Sequence, residues 1–260
     1  MNTLFFILPR LSFILSGNRI LDSLVMLNQF WWFTLTRKLF NFTSPMLFKF
    51  NFNENSFSMN LVSTIDILTL KEIYLDKEYD WTLEGEMNVI FDLGAHHGDT
   101  ALYYHALYPE AKIIAVEASP EAFEILKMNT ASIENIILVE AAIGSVDGAV
   151  QFNLTKSSLG SSVVERATAT STVIVEQVTL QTLCIKFGID EIDLIKFDVE
   201  GAEKNLFMGL PLSKYFIGEV HLDLISLSLD KFLKRFEDYQ TFVRTISVGR
   251  RYLVRAKKYE

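Results

Sequence analysis

One cysteine, Cys184, stands in the 260-residue chain. A lone thiol excludes an intrachain disulfide and any cysteine-cluster metal site. Between Leu183 and Ile185 it reads as a small core residue, and the cytosol is the default compartment. Positive charge is scarce as well: 24 Lys and Arg against 32 Asp and Glu leave a net charge of -8. Non-specific nucleic-acid affinity comes largely from neutralising phosphates, so this balance argues against a nucleic-acid partner and favours a small or neutral one. An Asn-Pro-Pro-Tyr-type turn that would clamp a flipped base is missing too. No good transmembrane run is present. The first apolar stretch is broken by Pro9-Arg10 and the second carries Asp22, Asn28 and Gln29, against a requirement of about 20 apolar residues. A secretory signal is poorly supported. What is abundant is apolar content, 50% of residues with 22% charged, enough to bury a sizeable core.

The segment VIFDLGAHHGDT, Val89 to Thr100, is the most informative stretch. Val89, Ile90 and Phe91 have the continuous apolar character of a parallel strand covered on both faces. Asp92 follows, and Gly94 and Gly98 permit a tight turn with close backbone approach to a ligand. A dinucleotide fingerprint would be G-x-G-x-x-G, serving a pyrophosphate; here the middle glycine is missing, which disfavours NAD. S-adenosylmethionine has no phosphate to cradle and suits the pattern. A second apolar strand, Ile113 to Val116, ends in Glu117, where an open α/β sheet places a ribose, so Asp92 and Glu117 are read as acceptors for its two hydroxyls. Ser119-Pro120 then opens a helix, with Glu121 and Glu124 near its start. His96 and His97 in the glycine turn either line the methionine end of the pocket or are plain loop residues.

Further on the chain reads VEAAIGSVDGAVQFNL from Val139, then VIVEQVTLQTL, then IDLIKFDVEGAE from Ile192 to Glu203, and finally Glu219-Val220-His221. These blocks, in this order over Val89 to His221, resemble the FkbM family of S-adenosylmethionine-dependent methyltransferases; KFDVEGAE, Lys196 to Glu203, is the most specific. The resemblance implies a Rossmann-like class I methyltransferase fold: α/β, with a seven-stranded mostly parallel sheet, an antiparallel last strand and the order 3-2-1-4-5-7-6. It also implies action on a hydroxyl of a sugar, glycan or small metabolite. The sequence pattern alone supports doubly wound α/β, with strands at 89–93, 113–117, 137–140, 192–198, 216–221, 242–248 and 252–256. Between Ala142 and Val178 an insert is expected, a hairpin from Ile143 to Leu154 turning at Asp147-Gly148, followed by a Ser/Thr-rich lid or substrate loop at Ser157 to Thr172.

The cofactor-binding set so read is Asp92, Gly94, Ala95, His96, Gly98, Glu117, Ala118, Ser119, Ala141, Ala142 and Asp198. Ligands of doubly wound sheets sit beyond the carboxyl ends of the strands, where Asp198 and Glu200 end the fourth strand and His221 the fifth. Methyl transfer requires an aligned acceptor oxygen and a place for its proton, which makes Asp198, Glu200 and His221 the catalytic candidates. Asp198 and Glu200 are alternatively ligands of Mg²⁺, though the metal-free version is favoured. Glu203 is read mainly as charge at a helix N-terminus. Two alternatives stay open: a catalytically silent S-adenosylmethionine-binding module, and an NAD-dependent oxidoreductase.

Residues 1–60 differ from the methyltransferase part, 61–260. Up to Lys49 there are five basic residues against one acid, interleaved with Phe and Trp. Ile20, Leu24, Leu27, Trp31 and Leu35 fall on one helical face with Arg37 and Lys38 near its end, so a helical extension is expected. It packs on the domain, pairs two copies in a homodimer, or lies on a membrane surface through residues 1–50. Asn51 to Asn60 reads as a polar linker and Ser63 to Tyr79 as a helical lead-in.

Overall fold

In the computed structural model, the described residues are 12–14, 28, 31–37, 39, 44–53, 55–81, 83–155, 169–203, 213–225, 227–247 and 250–259. The chain divides into two compact units, Met1–Asp80 and Trp81–Glu260.

The N-terminal unit is not purely helical. Residues 31–37 are helical as expected, but β1 (Ser12–Ile14), β2 (Met46–Phe52) and β3 (Asn55–Leu61) form a three-stranded sheet. The stretch read as a linker is thus the turn and second strand of a β2–β3 hairpin, in which Phe50 pairs with Phe57 and Phe48 with Met59. Alternation decides this: Phe48, Phe50, Phe57, Met59 and Leu61 are buried, while the residues between them are mostly less so. The lead-in is helical, α1 (Thr64–Leu70) running into a π-helical turn at Lys71–Leu75. Ser63 and Asp66 close a capping box at its start. In the helix 31–37, Phe33 and Thr36 are buried, whereas Trp31 (64%), Trp32 and Leu35 are exposed. The face predicted to pack therefore points outward at Trp31 and Leu35. Ile20, Leu24 and Leu27 lie outside the described residues. No helix among the described residues is long and apolar enough to cross a membrane.

The C-terminal unit is built on seven strands: β4 (Val89–Leu93), β5 (Lys112–Glu117), β6 (Ile136–Glu140), β10 (Ile192–Phe197), β11 (Ser213–His221), β12 (Tyr239–Ser247) and β13 (Arg251–Lys258). Their spatial order is β12-β13-β11-β10-β4-β5-β6, and only β13 runs antiparallel to its neighbours. Counted along the chain this is 3-2-1-4-5-7-6, as the resemblance implied. The central strands are apolar because both faces are covered: Ile90, Phe91, Ile114, Leu194, Ile195 and Phe197 are fully buried. Helix α2 (Asp99–Leu107) follows β4, α3 (Pro120–Thr130) follows β5, and α4 (Leu180–Phe187) leads into β10. Pro120 opens α3 behind the Ser119 cap, and Gly188, at φ 62°, ends α4.

The insert departs from expectation. β8 (Gly148–Thr155) pairs antiparallel with β9 (Ala169–Val178), and the two-residue β7 (Ala142–Ile143) lies parallel to β9. The hairpin is therefore β8–β9, not Ile143–Leu154. Asp147 makes no hairpin turn; it accepts from the Thr179 amide at 2.7 Å and the Thr182 hydroxyl at 2.6 Å, fixing the start of α4. A two-residue strand offers too little ladder for a tight hairpin, whereas the long β-branched run of β9 matches all of β8. Of the expected lid, 157–168 lies outside the described residues and 169–172 belongs to β9.

Candidate active site

Where β4 and β5 end, their following turns are tied together. The Gly94 and Ala95 amides both donate to the Val116 carbonyl at 2.9 Å. Glu117 accepts from the His96 amide at 2.8 Å through Oε2 and from the Ser119 amide at 2.7 Å through Oε1. Each oxygen keeps acceptor capacity beyond these bonds. Gly94 has φ +75°, and a Cβ there would lie 1.9 Å from the Asp198 carbonyl oxygen. Only glycine lets the first turn touch the end of β10 so closely.

A cleft of about 600 Å³, mouth included, opens over these ends. Of the predicted cofactor set, Gly94, His96, Glu117, Ala118, Ala141, Ala142 and Asp198 line it, joined by the catalytic candidate Glu200. Val116, Ile143, Phe152, Val199 and Ala202 line it unpredicted. Phe152 comes from β8, so the insert builds part of the wall; its alternation with polar neighbours was the available signal. His96 and Glu200 have φ of 48° and 46°, and both border the cleft. Side-chain-bearing residues held there cost about 1–3 kcal/mol each and gather where function demands a particular backbone.

Asp92, Ala95, Gly98 and Ser119 stand apart from the cleft. Asp92 is fully buried beneath the turn, 3.0 Å from Lys196 Nζ, and accepts from the Thr100 hydroxyl at 2.6 Å. Burial pushes its carboxyl upward against the lowering effect of Lys196 and Thr100. It therefore braces the turn, and of the two carboxylates expected at a ribose only Glu117 lines the cleft. The apolar strand end that made Asp92 look ligand-facing is the reason it needs a buried cation. Gly98 starts α2 at φ +90°, and a Cβ there would lie 2.9 Å from Leu126 and 3.4 Å from Thr130 of α3, so glycine lets the two helices pack. Ser119 caps α3, accepting from the Ala122 amide. Ala95 is buried in the turn. His97 is buried, stacked on the His96 ring with centroids 3.6 Å apart, and its carbonyl accepts from Asn129.

His221 is also behind the cleft rather than in it. Its Nδ1 lies 2.8 Å from Glu203 Oε1, and the other oxygen of Glu203 accepts from the Gly201 amide at 2.8 Å. Nε2 faces Glu200 at 3.6 Å, Glu219 at 3.7 Å and Asp198 at 3.9 Å. Arg251 in turn grips Glu219 through Nε, at 3.0 Å, and Nη2. Burial alone would lower the His221 pKa, but the Glu203 bond and the charges of Asp198, Glu200 and Glu203 outweigh it and raise it to about 9. Burial and the Asp198 charge raise Glu219 to about 7 against Arg251 and His221. Glu203 does stand where a helix begins, but it is fully buried there and paired with His221. That pairing is invisible in sequence because β11 brings it together.

A sheet in the 3-2-1-4-5-7-6 order with a cleft over the ends of its first, second and fourth strands defines a Rossmann-like class I methyltransferase. Residues 92–253 match the methyltransferase FkbM domain, and the chain belongs to that family of S-adenosylmethionine-dependent methyltransferases. Methyltransferase sdnD of Sordaria araneosa is 26% identical over 188 residues, 60% of this chain and 70% of that protein. The 2-O-methyltransferase NoeI of Sinorhizobium fredii is 27% identical over 143 residues, 49% of this chain and 59% of NoeI. A crystal structure of methyltransferase FkbM from Methylobacillus flagellatus superimposes with a TM-score of 0.45 at 13% identity, covering 67% of this chain and 45% of that one.

Proposed function

We propose that the chain transfers the methyl group of S-adenosylmethionine to a hydroxyl oxygen of a sugar, glycan or small metabolite. The observation that carries this is the placement of Glu117 and of Asp198 with Glu200 around one cleft, joined across the Gly94 contact. Glu117 would take the ribose hydroxyls through its spare acceptor sites. The small residues Ala118, Ala141 and Ala142 beside Phe152 leave an apolar recess for a purine. Gly94 and His96 line the same cleft and would border the methionine part. Bound there, the cofactor supplies an activated methyl group on a sulfonium. Asp198 and Glu200 then hold the acceptor hydroxyl in line and take its proton, whereas His221 supports them from behind. The same two carboxylates are hard oxygen donors of the kind that suits Mg²⁺. A relative named as a 2-O-methyltransferase supports oxygen as the acceptor atom.

The test is calorimetric titration with S-adenosylhomocysteine and with NAD, followed by a methyl-release assay on mixed hydroxyl acceptors. Binding of S-adenosylhomocysteine but not NAD, with hydroxyl-dependent release, is the expected result. Cofactor binding with no release on any acceptor would favour a silent binding module. For the N-terminal unit we propose peripheral contact with anionic membrane, supported by exposed Trp31, Trp32, Leu35 and Leu39 on the segment that carries Arg37.

A further inference from the structure

We propose that Asp198, Glu219 and His221 form a divalent-cation site beside the cleft, with Mn²⁺ as the ion that suits it. β10 and β11 are hydrogen-bonded neighbours, Phe197 opposite Gly218, so their ends deliver these three residues side by side. One ligand atom from each lies within 4.8 Å of the others. The distances from His221 Nε2 to Asp198, Glu200 and Glu219, 3.6 to 3.9 Å, are too long for hydrogen bonds. They suit groups arranged around a shared ion.

Two further observations point inward. Asp198 Oδ1 is a buried oxygen with no hydrogen-bond partner. The His221 side chain is only 4% exposed, and its Nδ1 is committed to fully buried Glu203. A carboxylate on one ring nitrogen is the usual means of aiming the other at a metal and raising its basicity. The surroundings are acidic: Asp198, Glu200, Glu203 and Glu219 all lie within 4 Å of the His221 ring nitrogens, and Arg251 orients Glu219 through Oε2. An imidazole with two carboxylates selects Mn²⁺ over Mg²⁺, which prefers oxygen and water. Whatever the ion does for methyl transfer rests on the function proposed above; its binding does not.

The experiment titrates the full chain with Mn²⁺, following free Mn²⁺ by electron paramagnetic resonance, and measures S-adenosylhomocysteine affinity on the same samples. One saturable Mn²⁺ per chain is expected, weakened about 10-fold or more by Asp198→Asn and His221→Gln and about 10- to 100-fold by Glu203→Gln. Absence of saturable binding, or binding indifferent to Asp198→Asn, overturns the site. Binding that survives His221→Gln unchanged overturns it as well. Should His221→Gln fail to fold, Mn²⁺ added below stoichiometry to the unmodified chain must broaden the imidazole resonances of His221 ahead of those of His105; uniform broadening counts against the site. Intact S-adenosylhomocysteine binding without Mn²⁺ binding removes only the cation site, whereas loss of both removes the methyl-transfer reading too.

Discussion

Lys196 and Asp92 stand opposite each other on adjacent strands, their charged groups 3.0 Å apart, and the Lys196 ammonium also donates to the Gly94 carbonyl at 2.7 Å. The register of β10 against β4 thus sets a buried ion pair under the turn that shapes the cleft. Lys196→Met would strand the Asp92 carboxylate and should cost about 3–5 kcal/mol in urea unfolding. Asp92→Asn with Lys196→Met should recover most of that loss, because no buried charge is left unpaired. A double variant as unstable as the single one would mean that the Gly94 contact dominates.

Glu117→Ala should weaken S-adenosylhomocysteine binding by about 1.5 to 3 kcal/mol, roughly 10- to 150-fold by calorimetry. Because Glu117 also holds the His96 and Ser119 amides, Glu117→Gln is the sharper probe. It keeps one acceptor oxygen and should fall between the two. Unchanged affinity in both variants would remove Glu117 from the site.

Gly94→Ala should be worse than either. The added Cβ meets the Asp198 carbonyl at 1.9 Å, a backbone atom that cannot swing aside, and φ +75° is strained for any side chain. The expected outcome is loss of measurable cofactor binding with a clear fall in melting temperature. An alanine variant that binds normally would show that the turn is not held against β10.

Asp193 predicts acid sensitivity. Burial would raise its pKa, but Lys214 and the Asn88 and Val89 amides more than offset that and hold it below the ordinary carboxylate value. A depressed folded-state value means that the contribution is present above the unfolded value, about 3.9, and fades as pH falls through the lower folded one. The gap in urea midpoint between the unmodified chain and Asp193→Asn should therefore be full at pH 6 and shrink at pH 3. A gap constant across that range would count against the assignment.

The N-terminal proposal is tested with vesicles. The full chain should sediment with anionic vesicles and release at high salt, while Trp31→Ser with Leu35→Ser should sediment less. Equal sedimentation of both would leave this face for packing or self-association.

Much of the methyltransferase unit is legible in sequence because its signals are local. Continuous apolar runs mark β4, β5 and β10, and Gly94 marks a turn where a side chain cannot fit. The N-terminal hairpin was equally local, Phe48, Phe50 and Phe52 alternating with Lys49 and Asn51, but the polar residues after Phe52 concealed its second strand. The β8–β9 pairing was hidden differently, since a plausible turn at Asp147-Gly148 competed with a partner strand that lies beyond a long connection. By itself the sequence determined the strand periods, the glycine turn and the acids at strand ends, all set by neighbours a few residues apart. Tertiary structure alone decided which acids face the cleft. Asp92 is consumed by Lys196, about a hundred residues distant, and Glu203 by His221, because strand order and register choose the partner of each buried charge.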